Sequence, residues 1–544
     1  MRIIVEVIYG EKRYSHRPGL RYAGYRDLRV IEWQGEQQAV TVAILWNAAS
    51  SSETVAIVDL FNHPLAITTL AHVLTVFAVG VRVVMRRPAP GVALAWLLLV
   101  VMLPFVGVLI YLLIGERRIG PERTHRIDAL VGTLGEPGGA MPSVDLTAVD
   151  WSRHPRSAAG LDRLGRNVAG TSTVRGNSIE LYSDTETVLQ AIARDIDSAA
   201  TGVSMAFYIW NDGGSADHVL EAVIRAAERG VACRILVDAL GARPWLQGKQ
   251  PQRLRQAGVE VLPALPVGLF RSFVGRTDLR LHRKLVVVDD RVAWTGSMNL
   301  VDPRIFKQSA GVGEWVDAMV RLQGLVIAPL GATVLGDWML ESGTPLEELA
   351  RSAGLHHVEP HGSADIQVVP SGPGESGDGL LQMLLALVNA AQDELLLTTP
   401  YLVPDESMLR AIRGAAGRGV RVSIIVPERV DSLLTRHASR SYFDDLLDAG
   451  VDIYLYRKGL LHTKSIVVDA TMSMFGTVNL DMRSLWLNYE VALFVYEPEF
   501  AKKLRALQQS YIADSHRLDP AEWAVRSPAQ RFLEDAFRLV SPLL

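Results

Sequence analysis

Two short patterns in this 544-residue chain have the residue types and spacing for chemistry. His282, Lys284 and Asp289 stand at positions i, i+2 and i+7, and His462, Lys464 and Asp469 repeat them. Seven residues after each aspartate comes a second pattern, Gly296, Ser297 and Asn299 in one copy and Gly476, Thr477 and Asn479 in the other. Lysine is scarce, eight residues against 47 arginines, so a motif built on lysine does not follow from composition. On a strand, positions i and i+2 face one side, which would project His282 with Lys284 and His462 with Lys464. An imidazole beside an ammonium suits an anion with a reactive centre, and two such pairs face to face would hold a phosphodiester between two histidines. One neutral histidine could then attack phosphorus and form a covalent phosphohistidine. The other, protonated, could donate to the leaving oxygen and later activate the incoming nucleophile. The lysines and asparagines would supply fixed donors to the nonbridging oxygens, and Asp289 and Asp469 are expected to fix the tautomer and orientation of the rings. One such motif could be a buried strand with satisfied polar residues; two copies with the same tail argue against that. Neither a metal nor a cofactor is expected, since the chain has one cysteine, Cys233, and few further ligands at metal-binding spacing.

These patterns sit inside a long internal repeat. AAERGVACRILVD, AGVEVL and LHRKLVVVDD in the first copy are followed in the same order by AAGRGVRVSIIVP, AGVDIYLY and LHTKSIVVDA. The offsets are 189 residues at the RGV step, 192 at AGV and 180 at the histidine, which is the period of a duplicated domain rather than of a solenoid. Each copy alternates short apolar runs with helical spacing that closes on glycine, the pattern of an α/β fold with helices packed on a mixed sheet. The expected organisation is an N-terminal extension over residues 1–60, a hairpin over 61–115, a linker over 116–170, and two halves over 171–345 and 346–544.

The rest of the composition narrows the class. Hydrophobic residues make up 49% and charged residues 21%, too apolar for a disordered chain. A net charge of −4 gives no general attraction to nucleic acid. Much of the apolar excess lies in two uncharged stretches, Leu60 to Val81 and Gly91 to Gly115, joined by a short basic link. The second stretch is long enough to cross a bilayer as a helix and the first is the weaker candidate, because it carries His63, Thr68, Thr69 and His72. Together they read as a transmembrane hairpin. Basic residues stand both at the link (Arg82, Arg86, Arg87) and after the second stretch (Arg117, Arg118, Arg123, Arg126), and the positive-inside rule slightly favours a cytoplasmic C-terminal part. Residues 1–60 show one or two candidate strands and no chemistry.

The two motifs resemble those of the phospholipase D superfamily, also called HKD enzymes. The second runs LHTKSIVVDATMSMFGTVNLDMRSLWLNYEV, in which Arg483, Ser484, Asn488 and Glu490 fall at the places of the bacterial cardiolipin synthase branch. TTPYLVPD, FYIWNDG and the hairpin AWLLLVVMLPFVGVLIYLLIGERR resemble that branch as well, and Thr477 departs from its usual serine. The resemblance implies two tandem phospholipase D-like domains after a membrane anchor, in the inner membrane of a bacterium. It implies transfer of a phosphatidyl group between two phosphatidylglycerol molecules, giving cardiolipin and glycerol, with His282 as nucleophile, His462 as acid and base, and an active-site role for Glu490. The implied partners are phosphatidylglycerol and the lipid bilayer, not nucleic acid. Two enzyme readings stand beside this one: a hydrolase or transphosphatidylase using another acceptor, and a membrane-anchored nucleic-acid phosphodiesterase. Arg271, Arg276, Arg280 and Arg283, just before the first histidine, are either attractors of anionic headgroups or a solvated face. Asp238 and Asp431 are expected to cap loops, and Tyr208, Trp210 and Tyr401 either line a pocket or pack in the core.

Overall fold

The computed structural model describes residues 28–33, 40–45, 64–86, 90–103, 105–115, 123, 125–126, 148–266, 276, 278–345, 348–349, 358–374 and 377–539. The chain divides into two units, Met1–Tyr111 and Leu112–Leu544.

In the first unit, strands Leu28–Trp33 and Val40–Leu45 pair antiparallel. A helix follows over Pro64–Arg86, then another over Pro90–Met102. They pack together through Val79, Val83, Val100 and Tyr111, while Leu74, Phe77, Leu94, Leu98 and Met102 point outward. The expectation that the second stretch is the stronger span is corrected here. Among the described residues, Ile67–Arg86 is the one helix long and apolar enough to cross a membrane. The second stretch breaks after Met102 and resumes as the short helix Val106–Ile110 and a wide turn at Tyr111–Gly115. Phe105 stands there at φ 60°, outside the right-handed helical region, which interrupts the ladder. Beyond the break the chain folds back so closely that a Cβ on Gly107 would lie 2.4 Å from the Leu99 carbonyl oxygen.

The second unit is built on one sheet of 16 strands. In its first half, Gly202–Phe207, Ala232–Asp238 and Glu260–Ala264 run parallel. Leu285–Val288, Val292–Gly296, Met319–Gly324 and Thr173–Tyr182 then add on antiparallel. The second half repeats this order: Glu394–Thr398, Arg421–Pro427 and Asp452–Tyr456 run parallel, followed by Ser465–Val468, Met472–Gly476, Asn488–Val495 and Ala364–Ser371. The halves join where Thr173–Tyr182 pairs antiparallel with Ala364–Ser371, which makes the sheet continuous. Helices cover both faces. Thr185–Asp197 and Ala216–Glu228 pack on the first half, Gly379–Ala390 and Glu406–Gly417 on the second. Ile327–Ser342 and Pro498–Ala513 bury the other face across the middle.

The repeated RGV and AGV segments are the helix stops. Gly230, Gly258, Gly419 and Gly450 all adopt left-handed backbone (φ 83 to 91°), and the valine after each donates its N–H back across the last turn. Each glycine ends a helix and aims the chain into the next parallel strand, so the short motif sets the α/β alternation.

Candidate active site

Each catalytic-motif histidine is delivered into the opposite half. Arg280–Leu281 pairs in parallel with Asn488–Tyr489, and Leu460–Leu461 pairs with Trp315–Val316. The backbone N–H of His282 donates to the Tyr489 carbonyl at 2.9 Å, and that of His462 to the Val316 carbonyl at 2.8 Å. The His-x-Lys segments do not lie within regular strand, as the sequence suggested. They are irregular stretches just before Leu285–Val288 and Ser465–Val468, because their backbone bonds go to the other half.

Both rings are buried and line one cavity of about 360 Å³, with Tyr208, Arg280, Asn299, Trp315, Tyr401, Asn479 and Asp481 among its walls. His282 Nδ1 lies 2.8 Å from a Glu490 carboxylate oxygen, and His462 Nδ1 lies 2.7 Å from an Asp317 oxygen. A carboxylate on Nδ1 fixes that nitrogen as the donor and leaves Nε2 with a lone pair. Glu490 is fully buried and also accepts from Thr477 Oγ1 at 2.6 Å, Ser484 Oγ at 2.7 Å and Asn488 Nδ2 at 3.2 Å. Asp317 accepts from Ser297 Oγ at 2.6 Å. Burial alone would raise both acids, but the adjoining histidine, the lysines and these hydroxyl donors hold them below the ordinary carboxylate range. Burial and the neighbouring lysine push each imidazole down to about 4, which favours neutral rings at neutral pH.

Lys284 and Lys464 are wholly buried, and each Nζ donates to the carbonyl of its own motif histidine. Burial lowers Lys284 to about 7, with Lys464 adding to the effect, and burial lowers Lys464 to about 8. Asn299 uses its carbonyl to accept from the Ile209 N–H at 3.2 Å and leaves a buried Nδ2 donor without a partner at the cavity wall. Asn479 Nδ2 donates instead to Asp481 at 2.9 Å.

Several expectations are corrected by this geometry. Asp289 and Asp469 do not touch the rings. Asp289 accepts from the backbone N–H groups of Ala200, Thr201 and Gly202 at 2.7–2.9 Å, and Asp469 accepts from those of Gln392, Asp393 and Glu394 at 2.8–2.9 Å. Each begins the tight turn that ends its strand, at φ near 50°, and ties that turn to the next strand's start. Asp317 and Glu490 orient the rings instead. Ser297 and Thr477, the hydroxyl residues expected to bind the phosphate or support the site, each donate to one of these carboxylates. Arg283 is no surface cation: it is 1% exposed, pairs with Asp337 and donates to the Glu490 carbonyl. Arg276 pairs with Asp278, Arg280 lines the cavity, and Arg271 lies outside the described residues. Asp238 caps its loop by accepting from Leu240 and Gly241, and also holds the N–H of Leu281 next to the histidine. Asp431 instead accepts from Tyr401 Oη at the cavity. Trp210 is core, stacked on Trp245.

Sequence reasoning missed Asp317, Trp315 and Asp481. A signal for Asp317 was present, because continuing the repeat past Gly296 and Gly476 aligns Trp315-Val316-Asp317 with Asn488-Tyr489-Glu490. The offset there drops to 173 and the acid changes type, which hid the match.

Comparison with known proteins agrees with this geometry. Residues 192–309 and 384–511 match the family model described as cardiolipin synthase, PLD-like domain. Residues 65–116 match one described as Phospholipase_D-nuclease N-terminal. Cardiolipin synthase A of Edwardsiella ictaluri (strain 93-146) is 43% identical over 474 residues, covering 87% of this chain and 96% of the relative. The Erwinia tasmaniensis protein of that name is 44% identical over the same length and coverage. The crystal structure of phosphatidylserine synthase from Haemophilus influenzae Rd KW20 superposes with a TM-score of 0.52 at 16% identity, covering 71% of this chain and all of that one, a likeness of fold. With two matched domains, paired motifs and relatives similar over nearly their whole length, the chain belongs to the cardiolipin synthase family of the phospholipase D superfamily.

Proposed function

We propose that this protein transfers a phosphatidyl group from one phosphatidylglycerol to another, forming cardiolipin and free glycerol. The observation that carries this reading is the pair of histidines on one cavity, each with Nδ1 held by a buried carboxylate from the opposite half. In the first step His282 Nε2 attacks phosphorus, the bond to the glycerol oxygen breaks, and His462 gives that oxygen its proton. The anionic phosphodiester raises the affinity of His462 for this proton on entering the site. In the second step the terminal hydroxyl of another phosphatidylglycerol gives its proton to His462. Its oxygen attacks phosphorus and the phosphorus–nitrogen bond breaks. Lys284, Lys464 and the Asn299 amide stabilise the nonbridging oxygens as charge shifts onto them. The choice of His282 as nucleophile rests on the superfamily resemblance, since the groups around the two rings are nearly equivalent.

The helix Pro64–Arg86 anchors the enzyme in the bacterial inner membrane, with the broken helix after it as a second, kinked crossing. The catalytic unit lies on the cytoplasmic side, favoured by Arg117, Arg118, Arg123 and Arg126 after the second apolar stretch. The test is lipid mass spectrometry on the detergent-purified protein given phosphatidylglycerol alone, beside a His462→Ala control. Cardiolipin and glycerol formed only by the intact protein are expected. Phosphatidic acid without cardiolipin would overturn the transferase reading in favour of a hydrolase.

A further inference from the structure

The last helix described, Pro528–Leu539, turns large apolar side chains outward and a carboxylate inward. Its inward face carries Phe537 together with a buried polar group: Glu534 is 1% exposed and accepts from Arg440 at 3.2 Å, Gln530 at 3.1 Å and Arg526. Arg538 donates to Asp445 at 2.7 Å and lies over the Tyr442 ring. Its outward stripe is apolar: Phe532 is 76% exposed and Leu539 83%, with Val525, just before the helix, at 82%. Phe532 and Leu539, seven apart on this helix, fall on one face.

This helix packs against Leu433–Ser441, where the His437 and Phe537 rings stack at 5.2 Å. The tip of that second helix carries Leu433 and Leu434, 69% and 47% exposed. They sit between Ser432 and Thr435, which line the cavity that holds both histidines. Ile305 reaches solvent on the other half, two residues from Lys307, and Lys307 bridges to Asp431 at 3.3 Å across the same cavity. Exposed apolar side chains thus stand both on the C-terminal helix and, on the helix it packs against, beside the cavity rim. Exposed Arg436 and Arg531 border it, with Asp535 the acidic neighbour.

We propose that this surface seats the catalytic unit in the headgroup region of an anionic phospholipid bilayer, so that the cavity opens onto lipid. A 12-residue helix, about 18 Å long, cannot cross a bilayer but suits lying in its interface. A protein bound to the same stripe would cover the rim through which lipid substrates enter, whereas a bilayer supplies them there. The inference rests on the reading of the substrate as phosphatidylglycerol.

The full-length protein is reconstituted into bilayers of phosphatidylcholine and phosphatidylglycerol with brominated acyl chains. A bimane fluorophore is placed at Phe532→Cys, Leu433→Cys or, as the control on an exposed helix, Arg253→Cys. The native Cys233 is buried, its thiol pushed up to about 12 by desolvation, and does not compete for label. Quenching at positions 532 and 433 but not 253 is expected. In parallel, Leu433→Asp with Phe532→Asp should lower cardiolipin formation from long-chain phosphatidylglycerol in bilayers roughly tenfold. Turnover of water-soluble dihexanoyl phosphatidylglycerol should stay within about twofold of the parent, which also shows that the variant is folded. Absence of quenching, or an equal loss on both substrates, overturns the proposal, and energy transfer between labelled copies without quenching assigns the stripe to self-association instead. If the parent protein makes no cardiolipin from either substrate, the functional reading fails, and the quenching pattern still decides the membrane face.

Discussion

The two halves match at the reacting groups and diverge one step outside them. Each has a histidine, a lysine, an asparagine, a hydroxyl residue and a carboxylate borrowed across the interface. Beyond that, Asp481 of the second half stands where the first has Val301, Arg483 where it has Pro303, and Arg280 of the first half where the second has Leu460. The carboxylates differ too: Glu490 takes hydrogen bonds from four side chains, Asp317 from two. The comparison teaches how a duplicated fold can run a reaction whose two partners are not equivalent. In-line transfer through a phosphohistidine needs two like bases on opposite sides of phosphorus. Choosing which lipid leaves and which attacks needs unlike surroundings. The inner ring keeps the symmetry and the outer ring breaks it.

Removing either ring tests the inner symmetry and carries the largest effect. His282→Ala and His462→Ala should each lower cardiolipin formation by roughly 10⁴-fold or more. The symmetry breaks with a donor whose leaving group needs no proton, such as a p-nitrophenyl phosphatidyl ester. The His462 variant should still release p-nitrophenol in a burst and hold labelled lipid covalently, while the His282 variant should do neither. The reverse pattern would exchange the two roles.

Next come the borrowed carboxylates. Glu490→Gln and Asp317→Asn should each lower kcat by about 10³-fold with little change in KM, since they orient a ring without touching substrate. Glu490→Gln should also cost more stability, because it disturbs four partners, and a lower melting temperature than that of Asp317→Asn checks this.

The lysines separate the halves by pH. A lysine holds its charge below its pKa, so donors to the phosphate are lost as pH rises past it. With Lys284 at about 7 and Lys464 at about 8, kcat/KM should fall on the alkaline side through that window. Lys284→Arg keeps a permanent cation and should move the onset of that fall upward, at some cost in rate from the larger head. Lys464→Arg should leave the onset in place and alter only the upper part of the limb. A pH profile of each variant checks the order.

How far the site could be read in advance follows the same division. Groups fixed by a local pattern were legible: the repeat gave both histidines, both lysines and both asparagines, and the RGV and AGV stops gave the alternation of helix and strand. Groups defined by what the other half brings were not. Nothing near His462 announces Asp317, which is 145 residues away and joined to it only by the exchange of short strands. Arg283 looked like one more cation in a basic run until Asp337, from a buried helix, took its charge. Asp289 and Asp469 show the converse error. They lie close to the histidines in sequence, but four residues of an interior strand carry them to its far end.

Asp481 tests the outer ring. It is buried at the cavity, pushed up to about 6 by desolvation, and holds the Asn479 amide. Asp481→Val gives the second half the residue of the first. Cardiolipin formation should fall about tenfold, with a higher share of phosphatidic acid as water competes with a less well placed acceptor. An unchanged product ratio would leave the asymmetry to the arginines and the unlike carboxylates.

The smallest effect on chemistry belongs to the motif aspartates, and here the halves should behave alike. Asp289→Asn and Asp469→Asn each replace a carboxylate that accepts from three consecutive backbone N–H groups with an amide that has one oxygen. The cost should be stability, about 1–3 kcal/mol, read as a lower melting temperature. Turnover per folded molecule should remain within roughly twofold, because the rings keep Glu490 and Asp317. For Asp289 the pH dependence has a definite sign. Burial opposes its charge, but the N–H groups of Gly202, Thr201 and Ala200 outweigh this and hold its pKa below the ordinary value. Its contribution is therefore present above about pH 4 and lost as pH falls through the depressed folded value, so parent and variant should converge in melting temperature in acid. A large loss of kcat in either variant, with stability intact, would return these aspartates to the catalytic chain and undo the division between the ends of the motif.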